Sequence, residues 1–382
     1  MPRSRRVLSP AKRRCFAVLA AAMVLFAGEL AARGWLRFFA SPEAKASLAL
    51  PGEVEPGCKY VPHPYCAYAA APNYVSGETH HDSRGFRGGE VVAPKPPGVF
   101  RIAVLGGSTT YGEFIPRDED AFPAQLERIL RAEFGCPQVE VVNAGVPGYN
   151  SWESLVDFEF RVLDVAPDLV IPYFGVNDVH ARMVDPAEHR SDNLGRRKAW
   201  SEPWEVRVAR CSLLARMLGR ATGVWQPPGV ENFTLAPGAL KESRRGDHSV
   251  LLAANPPTYF RRNLESTVAV ARAHRVAPVL ATWACSFDVG DYVALPHYRQ
   301  GVRELNDVVR SVAAASGAPC FDFAAVMPSD PRYWRDGRHV NASGAEFQAR
   351  AFAQYLHSNY LIKSLAEPVP GMAGRSDRVP AR

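Results

Sequence analysis

From Arg101 to His357 the chain alternates short apolar runs with amphipathic stretches of helical period, and few architectures accept that rhythm. RIAVLGG (101–107), VEVVNAG (139–145), DLVIPYFG (168–175), APVLATW (277–283) and PCFDF (319–323) read as strands buried on both faces. PAQLERILRAEF spaces Leu126, Ile129 and Leu130 on one helical face. Further helices are predicted over 151–163, 259–274, 298–315 and 342–357. Near-continuous apolar strands separated by helices imply a parallel sheet covered on both sides, an α/β fold. Two local signals stand out. Ser151 is predicted to N-cap the second helix, and Pro172, which has no ladder donor, to mark a bulge or a strand end.

The flanks follow different rules. Six of the 45 basic residues (Arg3, Arg5, Arg6, Lys12, Arg13 and Arg14) lie in residues 1–14, and the remaining 39 balance the 39 acidic ones. The net charge of +6 is therefore a topology signal and not a footprint for nucleic acid. CFAVLAAAMVLFAGELAA follows, broken only by Glu29. Residues 15–36 thus form a membrane anchor or a signal segment. The best cleavage site, Ala32-Arg33-Gly34, is poor, so the expectation is an uncleaved anchor. The positive-inside rule then leaves 1–14 in the cytoplasm and exports the rest, a single-pass protein of the cell membrane.

Residues 37–98 read as a Pro/Gly-rich linker and partly ordered extension, 99–365 as the main domain, and 366–382 as a disordered tail. A polar, Trp/Pro-rich insertion at about 180–256 interrupts the alternation. Its Trp200, Trp204 and Trp225 could wall an acceptor cleft, although packing onto the domain is the commoner role for such side chains. Outside the cytoplasm thiols can pair, and among the seven cysteines Cys58 and Cys66 are the candidate disulfide. No cysteine has zinc spacing, and His80-His81-Asp82 reads as a solvated turn and not as a metal site.

Ligands of an open parallel sheet bind beyond the carboxyl ends of its strands. Three successive strands here end in polar loops: Gly106-Gly107-Ser108-Thr109, Asn143 to Gly148, and Gly175-Val176-Asn177-Asp178. If the first strand lies between the other two, a hydroxyl, a glycine N–H and an asparagine amide converge. Acyl transfer needs that set, an attacking oxygen and donors for the oxyanion. A serine also needs a base with an orienting group, and DGRH at 336–339 supplies Asp336 and His339 in a turn before the last helix. A phosphate loop is disfavoured because no Gly-Lys-Ser/Thr follows, and Thr110 breaks the nucleophile-elbow pattern.

The ordered blocks GGST (106), NAGVPGYNS (143), GVND (175) and DGRHVNASG (336) resemble the SGNH (GDSL-type) hydrolase superfamily over roughly residues 100–360. DSRGFRGGE before the domain is similar to its membrane-anchored bacterial members. The resemblance implies a three-layer α/β/α, flavodoxin-like fold with a five-stranded parallel sheet. It also implies Ser108 as nucleophile and first oxyanion donor, Gly145 and Asn177 as the other donors, Asp336 as orienter and His339 as base, with no cofactor. Gly107 stands where the family usually has aspartate. The expected activity is that of an extracytoplasmic serine esterase acting on a small-molecule or glycan ester. An O-acyltransferase working on a cell-envelope glycan, or an idle binding module, are the alternatives.

Overall fold

The computed structural model describes residues 9–41, 44–45, 48, 59–63, 65–192, 204–223, 248–290 and 292–359. Helix α1 (Pro10–Phe38) opens with Pro10 at its first turn and with the Ser9 side chain accepting from the Lys12 N–H. It is long and apolar enough to cross a membrane. Residues 10–27 are exposed all round, and burial begins at Gly28.

The central sheet is parallel. Strand β1 (Phe100–Gly106) lies between β2 (Val139–Gly145) and β3 (Leu169–Tyr173), with Gly106 opposite both Gly145 and Tyr173. The short β4 (Ala277–Pro278) pairs with β3, so the order is β2-β1-β3-β4. Among the described residues four strands join this ladder, where five were expected. After Val279 the chain continues as β5 (Leu280–Ala281), which pairs with β6 (Cys320–Phe321) as a separate parallel ladder. The break has a local cause. The Val279 N–H donates to the Val170 carbonyl at 2.9 Å, and the next rung would need a donor from Pro172, which has none. Pro172 thus sits inside β3 and not at its end, and the cost appears on the neighbouring strand.

Helices cover both faces, giving three layers. On one side α2 (Phe122–Ala132) packs against α3 (Ala342–Ser358); on the other, helices Ser151–Asp157, Thr258–Ala273 and Pro296–Ser316 pack together. Helix Ser151–Asp157 is capped by Asn150 and not by Ser151. Asn150 accepts from the Trp152 and Glu153 N–H groups while the Glu153 carboxylate accepts from the Asn150 N–H, a capping box. Ser151 instead donates its hydroxyl to Asp178 at 2.6 Å.

Before the domain, Tyr60–His63 pairs antiparallel with Ala67–Ala70, and Val75–Ser76 with Thr79–His80. Tyr68 donates to the Pro147 carbonyl at 2.5 Å, and the Tyr149 hydroxyl donates to the Tyr68 carbonyl at 2.6 Å. The His80–Asp82 stretch is not a solvated turn. His80 is exposed beside Asp118, but His81 and Asp82 are buried, and Asp82 accepts the Arg84, Phe86 and Val91 N–H groups. Of the candidate disulfide, Cys58 lies outside the described residues, and the buried Cys66 Sγ is 3.9 Å from the Glu153 carbonyl. Trp200, Trp225 and the 366–382 tail also lie outside them.

Candidate active site

Ser108 opens a one-turn helix, Ser108–Tyr111, at the carboxyl end of β1. At that position its N–H has no acceptor along its own helix. The turn is closed by the Gly112 and Glu113 N–H groups, which donate to the Ser108 carbonyl at 3.0 and 2.9 Å. Gly107 is the residue that departs from the usual family motif, and it has a steric reason here. A Cβ at 107 would lie 2.7 Å from Asn177 Nδ2 and 3.0 Å from the Tyr149 carbonyl oxygen. The asparagine amide leans over the serine turn in the space a side chain would take.

His339 is buried, and its Nε2 lies 2.8 Å from Ser108 Oγ. Its Nδ1 lies 2.9 and 3.1 Å from the two Asp336 carboxylate oxygens. Asp336 also accepts the Arg338 and His339 N–H groups at 2.9 and 2.8 Å, which makes the DGRH turn self-capping. Burial works to raise the Asp336 carboxyl. The hydrogen bond and charge of His339, with the two backbone donors, outweigh it and hold the group well below the usual carboxylate range. An ionised Asp336 accepts from Nδ1 and so orients the ring with Nε2 toward the serine hydroxyl. The Phe114 ring meets His339 edge-on at 5.1 Å.

Asn177 enters from the start of helix Val176–Arg182, just past β3, and donates Nδ2 to the Tyr149 carbonyl at 2.8 Å. Its neighbour Asp178 turns away and binds the Ser151 N–H and hydroxyl. Of the residues predicted from sequence, Ser108, His339, Asp336 and Asn177 are brought together. Gly145 is not: its N–H donates to Asn143 Oδ1 at 3.1 Å, and its Cα faces the Tyr111 backbone under the serine turn. Three residues on, Gly148 is half-buried in the left-handed region (φ 86°), beside the Tyr149 carbonyl that Asn177 binds. The signal was present in NAGVPGYNS, which contains two glycines; only the end of β2 at Gly145 tells which of them lies in the loop.

Sequence reasoning missed Arg87. From the extension, its buried guanidinium reaches the Tyr111, Gly112 and Ile115 carbonyls at 3.0, 2.7 and 2.6 Å and Asp118 at 2.8 Å. These carbonyls belong to the segment that leaves the serine helix and carries Phe114, held at φ 69°. An aromatic residue in that region is strained, and the Arg87 contacts on either side hold it there. His81 adds a second tie: its ring nitrogens lie 2.8 Å from the Ala71 carbonyl and 2.9 Å from the Tyr111 hydroxyl. Burial pulls its pKa down to about 4 against the Ala71 hydrogen bond, so at neutral pH the ring is uncharged. Among the described residues no His/Cys/Asp/Glu group could hold a metal ion.

A hydroxyl, an imidazole and a carboxylate in hydrogen-bonded sequence beyond the carboxyl end of a parallel sheet define a serine-hydrolase arrangement. The model of the GDSL-like Lipase/Acylhydrolase family matches residues 104–347, and the chain belongs to that family, as a serine ester hydrolase. Similar solved structures include a GDSL-like lipase from Bacteroides thetaiotaomicron (17% identity, 70% of this chain and 93% of that one, TM-score 0.41). Others are a lipase/acylhydrolase from Enterococcus faecalis (18%, 68% and 97%, 0.42) and an acetyl xylan esterase from Geobacillus stearothermophilus (17%, 67% and 95%, 0.41). No curated protein sequence matches the chain.

Proposed function

We propose that the protein is a membrane-anchored, extracytoplasmic esterase that cleaves short-chain acyl esters through an acyl-Ser108 intermediate. The observation that carries this reading is the unbroken run from Asp336 through His339 to Ser108, at 2.9 and 2.8 Å. His339 Nε2 takes the Ser108 proton as Oγ bonds to the ester carbon, and the carbonyl electrons move to oxygen. The Ser108 N–H and Asn177 Nδ2 stabilise that oxyanion. The third donor, assigned from sequence to Gly145, passes in this reading to the N–H of Gly148, since that of Gly145 is engaged by Asn143. His339 then gives the proton to the departing alkoxide. Water, deprotonated by the same ring, releases the acid and restores Ser108. Asp336 stays ionised throughout.

The exported side is inferred from the cationic residues 3–14 that precede the apolar stretch of α1. A fluorophosphonate probe followed by acyl esters of graded length tests the reading, with an oligosaccharide added in a parallel arm. Labelling at Ser108 and free acid release at a rate indifferent to the oligosaccharide are expected. Acyl groups collecting on the sugar, with little free acid, would reassign the protein as an O-acyltransferase. A folded protein that neither labels nor turns over would make it a binding module.

A further inference from the structure

We infer that the outer part of α1 is a permanent piece of the mature protein, onto which the helix of the insertion docks. The inference rests on reading α1 as the membrane anchor. Residues 10–27 are exposed on every side; past the cytoplasmic Lys12, Arg13 and Arg14, the apolar residues 15–27 cover roughly 20 Å at about 1.5 Å per residue, most of the ~30 Å of a bilayer's hydrocarbon core. From Gly28 onward the helix has protein against it. Helix Leu213–Ala221 lies there, and Leu213, Leu214 and Met217 form an apolar cluster with Ala32, Leu36 and Leu48. A Cβ on Gly28 would come within 2.8 Å of a Leu214 methyl, so the two helices approach closely at that point.

Glu29 is the telling residue. An acid in an apolar spanning helix is expensive unless it is paired, and here both carboxylate oxygens are engaged. They accept the Leu213 and Leu214 N–H groups at 3.0 Å each, the Ser212 hydroxyl at 2.8 Å, and Arg33 Nε at 2.7 Å. The first N–H groups of a helix have no partners within it, and its N-terminus favours an anion. Glu29 therefore completes the insertion helix as much as the helix neutralises Glu29. Arg216 ties in the linker as well, donating to the Leu48 carbonyl at 3.0 Å. Cleavage after Gly34 would remove Gly28, Glu29 and Ala32 together, uncovering Leu213 and Leu214 and leaving those N–H groups without their acceptor. The domain is thus joined to its anchor twice, by the covalent linker and by the docked insertion, which fixes how it stands over the membrane.

The test uses the full chain in its own membranes, tagged at the N-terminus, with Cys15→Ser and Cys211→Ser as background. Gly28→Cys and Leu214→Cys are added, together with a protease site placed within residues 49–58. After oxidation and cutting, the expected result is a membrane-bound, tagged product that separates into two fragments only on reduction. A tagged, membrane-bound product that falls into two fragments without reductant overturns the docking and leaves the anchor reading standing. A mature chain that begins near Trp35 overturns both.

Discussion

Residues 79–91 and residues 204–221 both lie outside the strand–helix alternation, yet they are tied to different partners. The first segment sends Arg87 and His81 under the serine turn, where they bind the Tyr111, Gly112 and Ile115 carbonyls and the Tyr111 hydroxyl. The second leans on α1 through Glu29 and a small apolar cluster. The difference lies in what each segment leaves unsatisfied when it is removed. Without Arg87, the carbonyls that follow the Ser108 turn lose their donor, so the damage is expected to fall on catalysis. Without the α1 contact, the insertion helix loses its capping carboxylate, so the damage falls on attachment.

Substitutions can break or sharpen that contrast. Ser108→Ala sets the floor: removing a triad nucleophile should lower kcat by a factor on the order of a million, with fluorophosphonate labelling lost. Wild-type-like turnover would remove Ser108 from the chemistry. Asn177→Ala should lower kcat by roughly 100- to 1,000-fold, the usual effect of one missing oxyanion donor. A change confined to KM would assign the amide to substrate binding instead.

Arg87→Lys keeps the charge but not the fork that spans three carbonyls. Loosening a catalytic turn costs about 10- to 100-fold in kcat, with KM for a small ester nearly unchanged. Unaltered kcat in a variant with a lowered Tm would make the extension a structural support only.

His81 provides a pH-dependent reading of the same tie. Its pKa falls from 6.5 in the unfolded chain to about 4 in the fold, so between those values the unfolded state binds more protons. The stability it contributes is complete above pH 6.5 and is lost progressively as the pH falls toward 4. The loss is on the order of 3 kcal/mol. Melting temperatures across that window should drop less in His81→Asn than in the parent, and parallel curves would exclude the imidazole as the cause.

The smallest effect belongs to the second region. Leu214→Ala should leave turnover of a soluble ester within about twofold of the parent, because the contact it weakens is to α1. A deficit comparable to that of Arg87→Lys would show that the insertion reaches the site after all.

Much of the site was legible because its parts are local. Asp336 and His339 share one four-residue turn, and Ser108 and Asn177 each follow directly on a strand, so period and punctuation locate them. Gly145 shows the limit. Whether it or Gly148 lies in the loop depends on where β2 stops, and that is set by pairing with β1 across the sheet. Pro172 shows it again, since the strand that loses the bond is not the strand that carries the proline.

By itself the sequence determined the α/β rhythm, the order of the catalytic blocks and the single apolar helix, because each is a pattern in consecutive residues governed by backbone period and burial. Tertiary structure alone decided what the irregular segments do. Arg87 and Tyr111 are 24 residues apart, and Glu29 and Leu213 are 184 apart. Nothing in the spacing of either pair foretells contact. A buried guanidinium or carboxylate has to find its partners wherever the folded backbone leaves a carbonyl or an N–H without one.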